Sequence, residues 1–542
     1  MSVPTRLPGK YKIGSGGYGK VYRDDNGSVV KHNIVPRSVL FSVCIREGDL
    51  GKINHPYING VKRVIGKEEE ASLGLPISPI QTNKDRRADN LHFVFEEASC
   101  DLHDFLFKQQ RNRQNRDYAL IIRLIGQLLQ GLDHLHHDHQ IIHRDIKPAN
   151  ILYFQEGKVK ISDFGLAIPF TYQGPHTPRV VTCLFRPPEV MIGESKYNYT
   201  LDVWSLGCTV FQMIALYEYI NNITEDPNIL LSSLYGNRET NMEPDEYNKF
   251  IAKCQQNNII LNQTIAFPPR RKTLRSRLAF TSAEEAYFEQ QSGHKLDDVV
   301  SLLRGMLTWD YRKRWSARQC LAHPLFDRYR NDIINLRNQY PRPSAQRIYI
   351  IESPERFWMR EFVMEWFGTA RMNKTVWFRP RIIFQAVDLF DRYCYLLYNS
   401  DEPRHYQLDN YGGIDTCFYD RFGTRLRFVA CIYICYKYFL TLRSVSPFKT
   451  IMKSLDPSMK DDSLLPIAEG FEIQLLTRMF PLGLYRPTIY EAPDYLSKYL
   501  DSTDYLPLMK MYLYDDSVNG STPYQLINYY FKHLKKRNRN PK

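Results

Sequence analysis

Two short segments constrain this chain more than anything else in it: His143-Arg144-Asp145-Ile146-Lys147-Pro148-Ala149-Asn150 and, further on, Asp163-Phe164-Gly165. The first puts an aspartate, a lysine and an asparagine on one short loop, and the second adds an aspartate 18 residues after Asp145. Together they are the equipment for moving a phosphoryl group. Asp145 can accept the proton of an incoming hydroxyl, and Lys147 brings an ammonium near the transferring phosphate. Asn150 and Asp163 offer two oxygen ligands for Mg²⁺. Either segment alone says little; the order and the spacing carry the signal.

At 542 residues the chain is too long for one core, and roughly two to four domains are expected. Hydrophobic residues at 43% and aromatics at 13% exclude a mostly disordered chain. The net charge of +13 fits a partner bearing phosphates or acidic groups, and fits a solvated basic surface equally well. Part of it lies in the tail from Lys532 to Lys542, which reads as a flexible basic end or, more sharply, as a targeting or nucleic-acid contact. A nucleic-acid partner is not the expectation for the chain as a whole. The ten cysteines form no Cys-x-x-Cys and sit in apolar contexts, so buried free thiols in a reducing compartment are expected and no zinc site is. Met1-Ser2-Val3-Pro4 opens onto polar sequence without a signal core, and the apolar run Phe428 to Tyr436 is far too short to span a membrane. A soluble intracellular protein is expected.

Gly14-Ser15-Gly16-Gly17-Tyr18-Gly19-Lys20-Val21 is a Gly-x-Gly-x-x-Gly-x-Val loop between two strand-like pieces, and glycine lets the backbone fold closely over phosphates. Val29-Val30-Lys31 follows, then Arg186-Pro187-Pro188-Glu189, Asp202-Val203-Trp204-Ser205-Leu206-Gly207-Cys208 and Met306-Leu307-Thr308-Trp309-Asp310 through Arg314. With the two opening segments, these make residues 9 to 326 resemble eukaryotic-type protein kinases. Phe41-Ser42-Val43-Cys44-Ile45-Arg46-Glu47 resembles the PSTAIRE helix of cyclin-dependent kinases, keeping its Ser, Ile, Arg and Glu. Thr177-Pro178-Arg179-Val180-Val181-Thr182 resembles their activation segment.

The resemblance implies ATP as phosphoryl donor with Mg²⁺, and a protein serine or threonine as acceptor, since Lys147 follows the serine/threonine pattern. Gly14, Ser15, Gly16, Gly17, Tyr18, Gly19 and Val21 would cover the nucleotide, with Lys31 on its phosphates and paired with Glu47. Residues Glu96 and Ala98 would form the hinge whose backbone meets adenine. Asp101 falls where relatives contact the ribose, although a helix N-cap accounts for it equally well. Asp202 would brace the catalytic loop, and Arg314 would pair with Glu189. Thr177 is the phosphoacceptor candidate, with Arg46 and Arg144 clamping its phosphate. Tyr18 stands where those kinases carry an inhibitory tyrosine. Two departures are Val29, usually alanine, which would press on adenine, and Ile168, where a third phosphate-binding arginine usually stands.

Residues 327–344 are charged, include Pro341 and Pro343, and read as a linker. Beyond them the texture becomes that of amphipathic helices: Ile382, Ile383, Ala386, Val387, Leu389, Phe390 and Tyr393 recur at helical spacing, and Leu426 to Phe439 is apolar nearly all round. Met359-Arg360, Ala386-Val387-Asp388-Leu389-Phe390-Asp391-Arg392-Tyr393, Tyr436-Lys437-Tyr438-Phe439 and Phe471-Glu472-Ile473-Gln474-Leu475-Leu476 together resemble a cyclin box; an unrelated helical domain is the plainer account. The resemblance implies an Arg360–Asp391 ion pair. It also implies an intramolecular contact in which Lys437 and Glu472 face the segment around Ile45.

The expected architecture is therefore α+β: a two-lobed kinase fold over 9–326 with a sheet lobe and a helical lobe, a linker over 327–344, and an all-α cyclin-box-like domain over 345–500. An extension with the basic tail follows over 501–542. The expected function is an ATP- and Mg²⁺-dependent serine/threonine protein kinase of the cyclin-dependent class, activated in cis by its own cyclin-like domain. The alternative is a catalytically impaired kinase fold serving as a scaffold, beside an unrelated helical interaction domain.

Overall fold

The computed structural model describes residues 12–16, 19–23, 28–33, 40–49, 53–65, 91–109, 112–169, 181–194, 197–217, 252, 254–256, 273–340, 353–373, 380–399, 421–439 and 475–476. Gly17, Tyr18, Thr177 and Glu472 lie outside the described residues, as do residues 66–90 and the basic tail.

The amino-terminal part is a five-stranded antiparallel sheet in the order β1-β2-β3-β5-β4, made of Lys12–Gly16 (β1), Gly19–Arg23 (β2), Ser28–Asn33 (β3), Arg63–Ile65 (β4) and Leu91–Glu96 (β5). Gly16 pairs with Gly19, so the glycine-rich segment is the tight end of the β1–β2 hairpin. Central strand β3 sets Lys31 opposite Val21 on one neighbour and opposite the fully buried Phe93 on the other. Helix α1, Leu40–Asp49, follows β3 and lies against the turn Phe164–Leu166.

The helical part is organised on Tyr118–Asp133 (α2) and Thr200–Ala215 (α3). The Asp117 carboxylate caps α2 by accepting from the Leu120 N–H at 2.8 Å. The face carrying Ile121, Leu124, Ile125, Leu128 and Leu132 is fully buried, each such side chain contributing roughly 1.5–3 kcal/mol. Gly131 is a packing requirement: a Cβ there would stand 2.9 Å from the Tyr57 carbonyl oxygen. That approach fixes the His55–Ile58 turn on the helical part, and backbone bonds from Asn59 N–H to Ile161 (2.8 Å) and from Ile161 N–H to Tyr57 (2.9 Å) complete the joint. Every residue of α3 is buried. Ser282–Ser292 (α4) and Leu296–Met306 (α5) pack around this pair, and Arg314 ties the end of the lobe to Glu189 by two bonds of 2.8 and 2.9 Å. Three short ladders surround the catalytic loop: Cys100–Asp101 (β6) with Ile151–Phe154 (β8) and Lys158–Ile161 (β9), and Ile141–Ile142 (β7) with Ile168–Pro169 (β10).

Arg330–Gln339 (α6), inside the stretch read as linker, is helical. Ile333 is buried, and Arg337 donates to Asp133 at 2.9 Å. One apolar cluster runs from Ile53 to Ile333 and takes in no described residue beyond it.

The carboxy-terminal helices are Pro354–Asn373 (α7), Pro380–Asn399 (α8) and Arg421–Phe439 (α9). Phe428 meets Phe362 and Phe390 edge to face at 6.1 and 5.8 Å. Every residue of α9 from Leu426 to Tyr438 is buried, the charged Arg427 and Lys437 included. Asp391 is paired, but with Arg356 (2.9 Å) rather than with Arg360. The two arginines are one helical turn apart on the same face of α7, and the earlier one makes the bond. The described cysteines are free thiols, six of them buried. Among the described residues no helix is long and apolar enough to cross a membrane.

Candidate active site

The residues singled out on the opening loop converge on one carboxylate. Strand β7 delivers His143, and Asp202, at the first turn of α3, accepts from the His143 and Arg144 N–H groups (2.7 and 2.8 Å) and from His136 Nε2 (3.0 Å). An acidic side chain suits a helix N-terminus, and here it holds the loop by its backbone. Arg144 takes a left-handed conformation, φ 68°. Asp145 then accepts from Lys147 Nζ (2.8 Å) and Asn150 Nδ2 (2.7 Å) through Oδ2, and from the Thr182 hydroxyl (2.7 Å) through Oδ1. Lys147 also donates to the Thr182 hydroxyl at 2.9 Å. Burial would push the Asp145 carboxyl up, but the Lys147 charge and the bonds from Lys147 and Thr182 hold it below the usual carboxylate range. Asp145 is ionised at neutral pH.

A second cluster faces it from the sheet. Lys31 Nζ donates to both oxygens of Glu47, at 2.7 and 2.9 Å, and stands 3.5 Å from Asp163 Oδ1. Glu47 is 2% exposed; burial raises its pKa and the Lys31 charge opposes that rise. Asp163 also has a left-handed backbone, φ 64°, while Phe164 beside it is buried edge-on against the His143 ring at 4.9 Å. Two non-glycine residues held at positive φ in this centre carry a strain of about 1–3 kcal/mol each. The Ser162 N–H donates to the Asn150 carbonyl at 2.9 Å, which sets Asn150 beside the approach to Asp163. An amide oxygen and a carboxylate are hard donors of the kind Mg²⁺ takes alongside phosphate oxygens, so the donor set fits that ion.

Around these clusters, Glu96 at the end of β5 pairs with Lys160 (2.7 Å) and Ala98 is half-buried just beyond it. Asp101 caps the following helical turn by accepting from the Asp104 N–H at 2.8 Å. The strand positions Gly14, Ser15, Gly16 and Gly19 form the β1–β2 hairpin, with half-buried Val21 after them.

The two arginines expected around a phosphate on Thr177, which lies outside the described residues, each hold backbone carbonyls in this structure. Arg144 donates to Leu166 O (2.6 Å) and to the Tyr197 hydroxyl (3.4 Å). Arg46 donates through Nε to Gly165 O (2.8 Å), and through Nη1 to Lys437 O (3.3 Å) and Tyr438 O (3.2 Å). The last two belong to α9, so the carboxy-terminal helices meet the amino-terminal part at α1. Lys437 reaches α1 through its main chain, whereas its ammonium lies over the Tyr433 ring, 4.0 Å from the centroid. A lysine in the last helical turn has its carbonyl free for a guanidinium, and it is by this carbonyl that Lys437 meets the segment around Ile45. Ile45 is fully buried, and the Tyr438 hydroxyl donates to Asp49 Oδ2 at 2.6 Å. Thr182, Asp49 and Tyr438 are the site residues that sequence reasoning did not single out. Thr182 stands at the end of the Thr177–Thr182 segment, the one hint available for it.

With this geometry in place, the protein kinase domain family matches residues 9–326. The chain belongs to the protein kinases. It is similar to the probable cyclin-dependent kinase 8 of Dictyostelium discoideum, 30% identical over 338 residues that span 60% of this chain and 82% of that protein. It is also similar to the serine/threonine-protein kinase ICK of Rattus norvegicus, 31% identical over 278 residues (51% of this chain, 37% of that one). The CTD kinase subunit alpha of Saccharomyces cerevisiae is 28% identical over 249 residues (44% and 42%). Within the family, then, this is a serine/threonine protein kinase similar to the cyclin-dependent kinases, with ATP use implied by its domain.

Proposed function

We propose that the protein transfers the γ-phosphoryl group of ATP to serine or threonine hydroxyls of protein substrates with Mg²⁺, and that its carboxy-terminal helices act as a cyclin-like activator in cis. The observation that carries the first part is the closed network on Asp145. An ionised carboxylate, held by Lys147, Asn150 and Thr182, is positioned to take the hydroxyl proton, and Lys147 sits next to it to offset charge on the transferring group. Asn150 and Asp163 hold the metal, which when bound neutralises phosphate charge. Lys31, fixed by Glu47, orients the α- and β-phosphates under the hairpin of Gly14 to Val21. The backbone at Glu96 and Ala98 meets adenine, and Asp101 the ribose. Phosphate on Tyr18 would repel the nucleotide's own phosphates and inhibit.

The support for activation in cis is that α9 bonds to α1, the helix carrying Glu47, at Arg46 and Asp49. Asp145→Asn tests the catalytic assignment. The base is lost while the Lys31–Glu47 pair and metal ligands remain, so transfer should fall about 10²–10⁴-fold with ATP affinity nearly unchanged. An equal loss of ATP affinity would assign Asp145 another role.

A further inference from the structure

Arg46 is 1% exposed, and a guanidinium so buried needs negative charge or a set of acceptors around it. Two of its nitrogens are already committed, Nε to Gly165 O and Nη1 to the carbonyls of Lys437 and Tyr438. Those carbonyls are in the last turn of α9, which ends at Phe439. There the final carbonyls lack intrahelical partners, and the helix dipole places about half a negative charge. The end of α9 therefore offers Arg46 what an activation-segment phosphate would offer. Arg144, the other candidate for such a phosphate, spends Nε on Leu166 O and Nη1 on Tyr197. Ile168 stands where a further arginine would be needed. Three residues beyond Arg46, Asp49 accepts a short hydrogen bond from Tyr438, the same residue whose carbonyl Arg46 holds.

We infer that the carboxy-terminal end of α9 is a built-in substitute for the activating phosphate. Arg46 and the Tyr438–Asp49 hydrogen bond form a latch that sets α1, and through it Glu47 and Lys31, for catalysis. Arg46 joins three elements: α1 that carries it, the backbone just after Asp163, and α9. Releasing α9 frees Arg46 from its bonds to Lys437 and Tyr438, and α1 from its tie at Asp49. Arg46, Asp49 and Tyr438 are positioning residues, touching neither nucleotide nor acceptor. The inference rests on the reading of the carboxy-terminal helices as activating, and adds the device by which they do so.

The test uses the full-length protein. Tyr438→Phe and Asp49→Ala should each lower kcat about tenfold, the effect of losing one hydrogen bond to a charged group, with ATP affinity kept. The double variant should be no worse than either single one. Asp49→Asn, which keeps an acceptor oxygen, should stay within about threefold of the wild type. Amide exchange should quicken in α1 and stay unchanged in α5, separating release of a latch from general loosening. Thr177→Ala should leave kcat within about twofold. Wild-type kcat in Tyr438→Phe overturns the latch, as does a tenfold or greater loss in Thr177→Ala when the wild-type enzyme carries phosphate there. A chain ending at Gln339 separates the two levels. If it is as active as the full chain, activation in cis fails. If it is impaired while Tyr438→Phe is not, only the latch fails.

Discussion

The carboxylate of Asp145 and the guanidinium of Arg46 are both buried charges, and the molecule satisfies them in opposite ways. Asp145 is served mainly from its own loop: Lys147 and Asn150 lie within five residues, and only Thr182 comes from elsewhere. Arg46 is served from segments 119, 391 and 392 residues away. A locally satisfied charge keeps its geometry whenever the loop folds, whereas a remotely satisfied one is correct only when distant parts have docked. The first arrangement suits chemistry that must be ready, the second suits control.

Removing everything beyond Gln339 pulls hardest on that contrast. The large apolar cluster of the kinase half takes in no described residue past Ile333, so the shortened protein should fold and bind ATP, with the Asp145 network intact. Without α9 the Lys31–Glu47 pair loses its support, and positioning is most of phosphoryl-transfer catalysis, so kcat should drop about 10–100-fold. Residues 345–542 added as a separate chain should restore it, at an apparent affinity weakened by the lost tether. Activity assays on the shortened chain, with and without the added piece, decide the matter; unchanged activity would mean that α1 is set without α9.

Thr182→Val attacks the local arrangement instead, removing the hydroxyl bond to Asp145 from outside its loop while keeping the side-chain shape and the longer bond from the Thr182 N–H (3.3 Å). A fall of about tenfold in kcat is expected, with ATP affinity constant. The Thr182 bond helps hold the Asp145 pKa down, so its loss lets that pKa rise, and the acid limb of the kcat profile should move to higher pH. An acid limb that stays in place would show that Lys147 alone sets the ionisation.

The same contrast governs what could be read from the sequence. The catalytic loop was legible because its chemistry demands particular side chains at fixed offsets, and the apolar period of Ile382 to Tyr393 marked a buried helix face for a similar reason. The latch was not legible. The cyclin resemblance brings Lys437 to the segment around Ile45, but Arg46 binds main-chain carbonyls, which every residue possesses, so the residue types at Lys437 and Tyr438 do not announce which atoms make the contact. The cyclin resemblance points to Arg360 as the partner of Asp391, where Arg356 makes the bond: residues four apart share a helix face and sequence cannot choose between them. α6 reads as linker because most of it is polar; Ile333, the Arg337–Asp133 bond and the bonds from Arg330 to the Leu321 and Ala322 carbonyls dock it.

The smallest effect expected is on stability, and it also divides the two halves. His55 is 6% exposed, stacked on His134 at 4.6 Å with Tyr340 edge-on at 5.5 Å, and its Nδ1 accepts from the Tyr57 N–H. Burial, with the like charges of His134 and His139 when these are protonated, pulls its pKa from 6.5 to about 3, against the opposing pull of Asp133. The folded imidazole is therefore neutral where the unfolded one begins to take up protons. Its contribution is complete above pH 6.5 and is lost progressively as the pH falls towards 3. At pH 6 it should already lower the unfolding free energy of the kinase half by roughly 1 kcal/mol relative to pH 7.5. Asp133, held near 2 by His137 and Arg318 despite its burial, changes only between about pH 4 and 2 and leaves this interval alone. The described carboxy-terminal helices contain no histidine, so their amide protection should not follow the same curve. Urea unfolding at the two pH values, on the wild type and on His55→Phe, reads the difference directly: the aromatic replacement keeps the stack but cannot titrate. Equal slopes in the two proteins would show that another group carries the pH dependence.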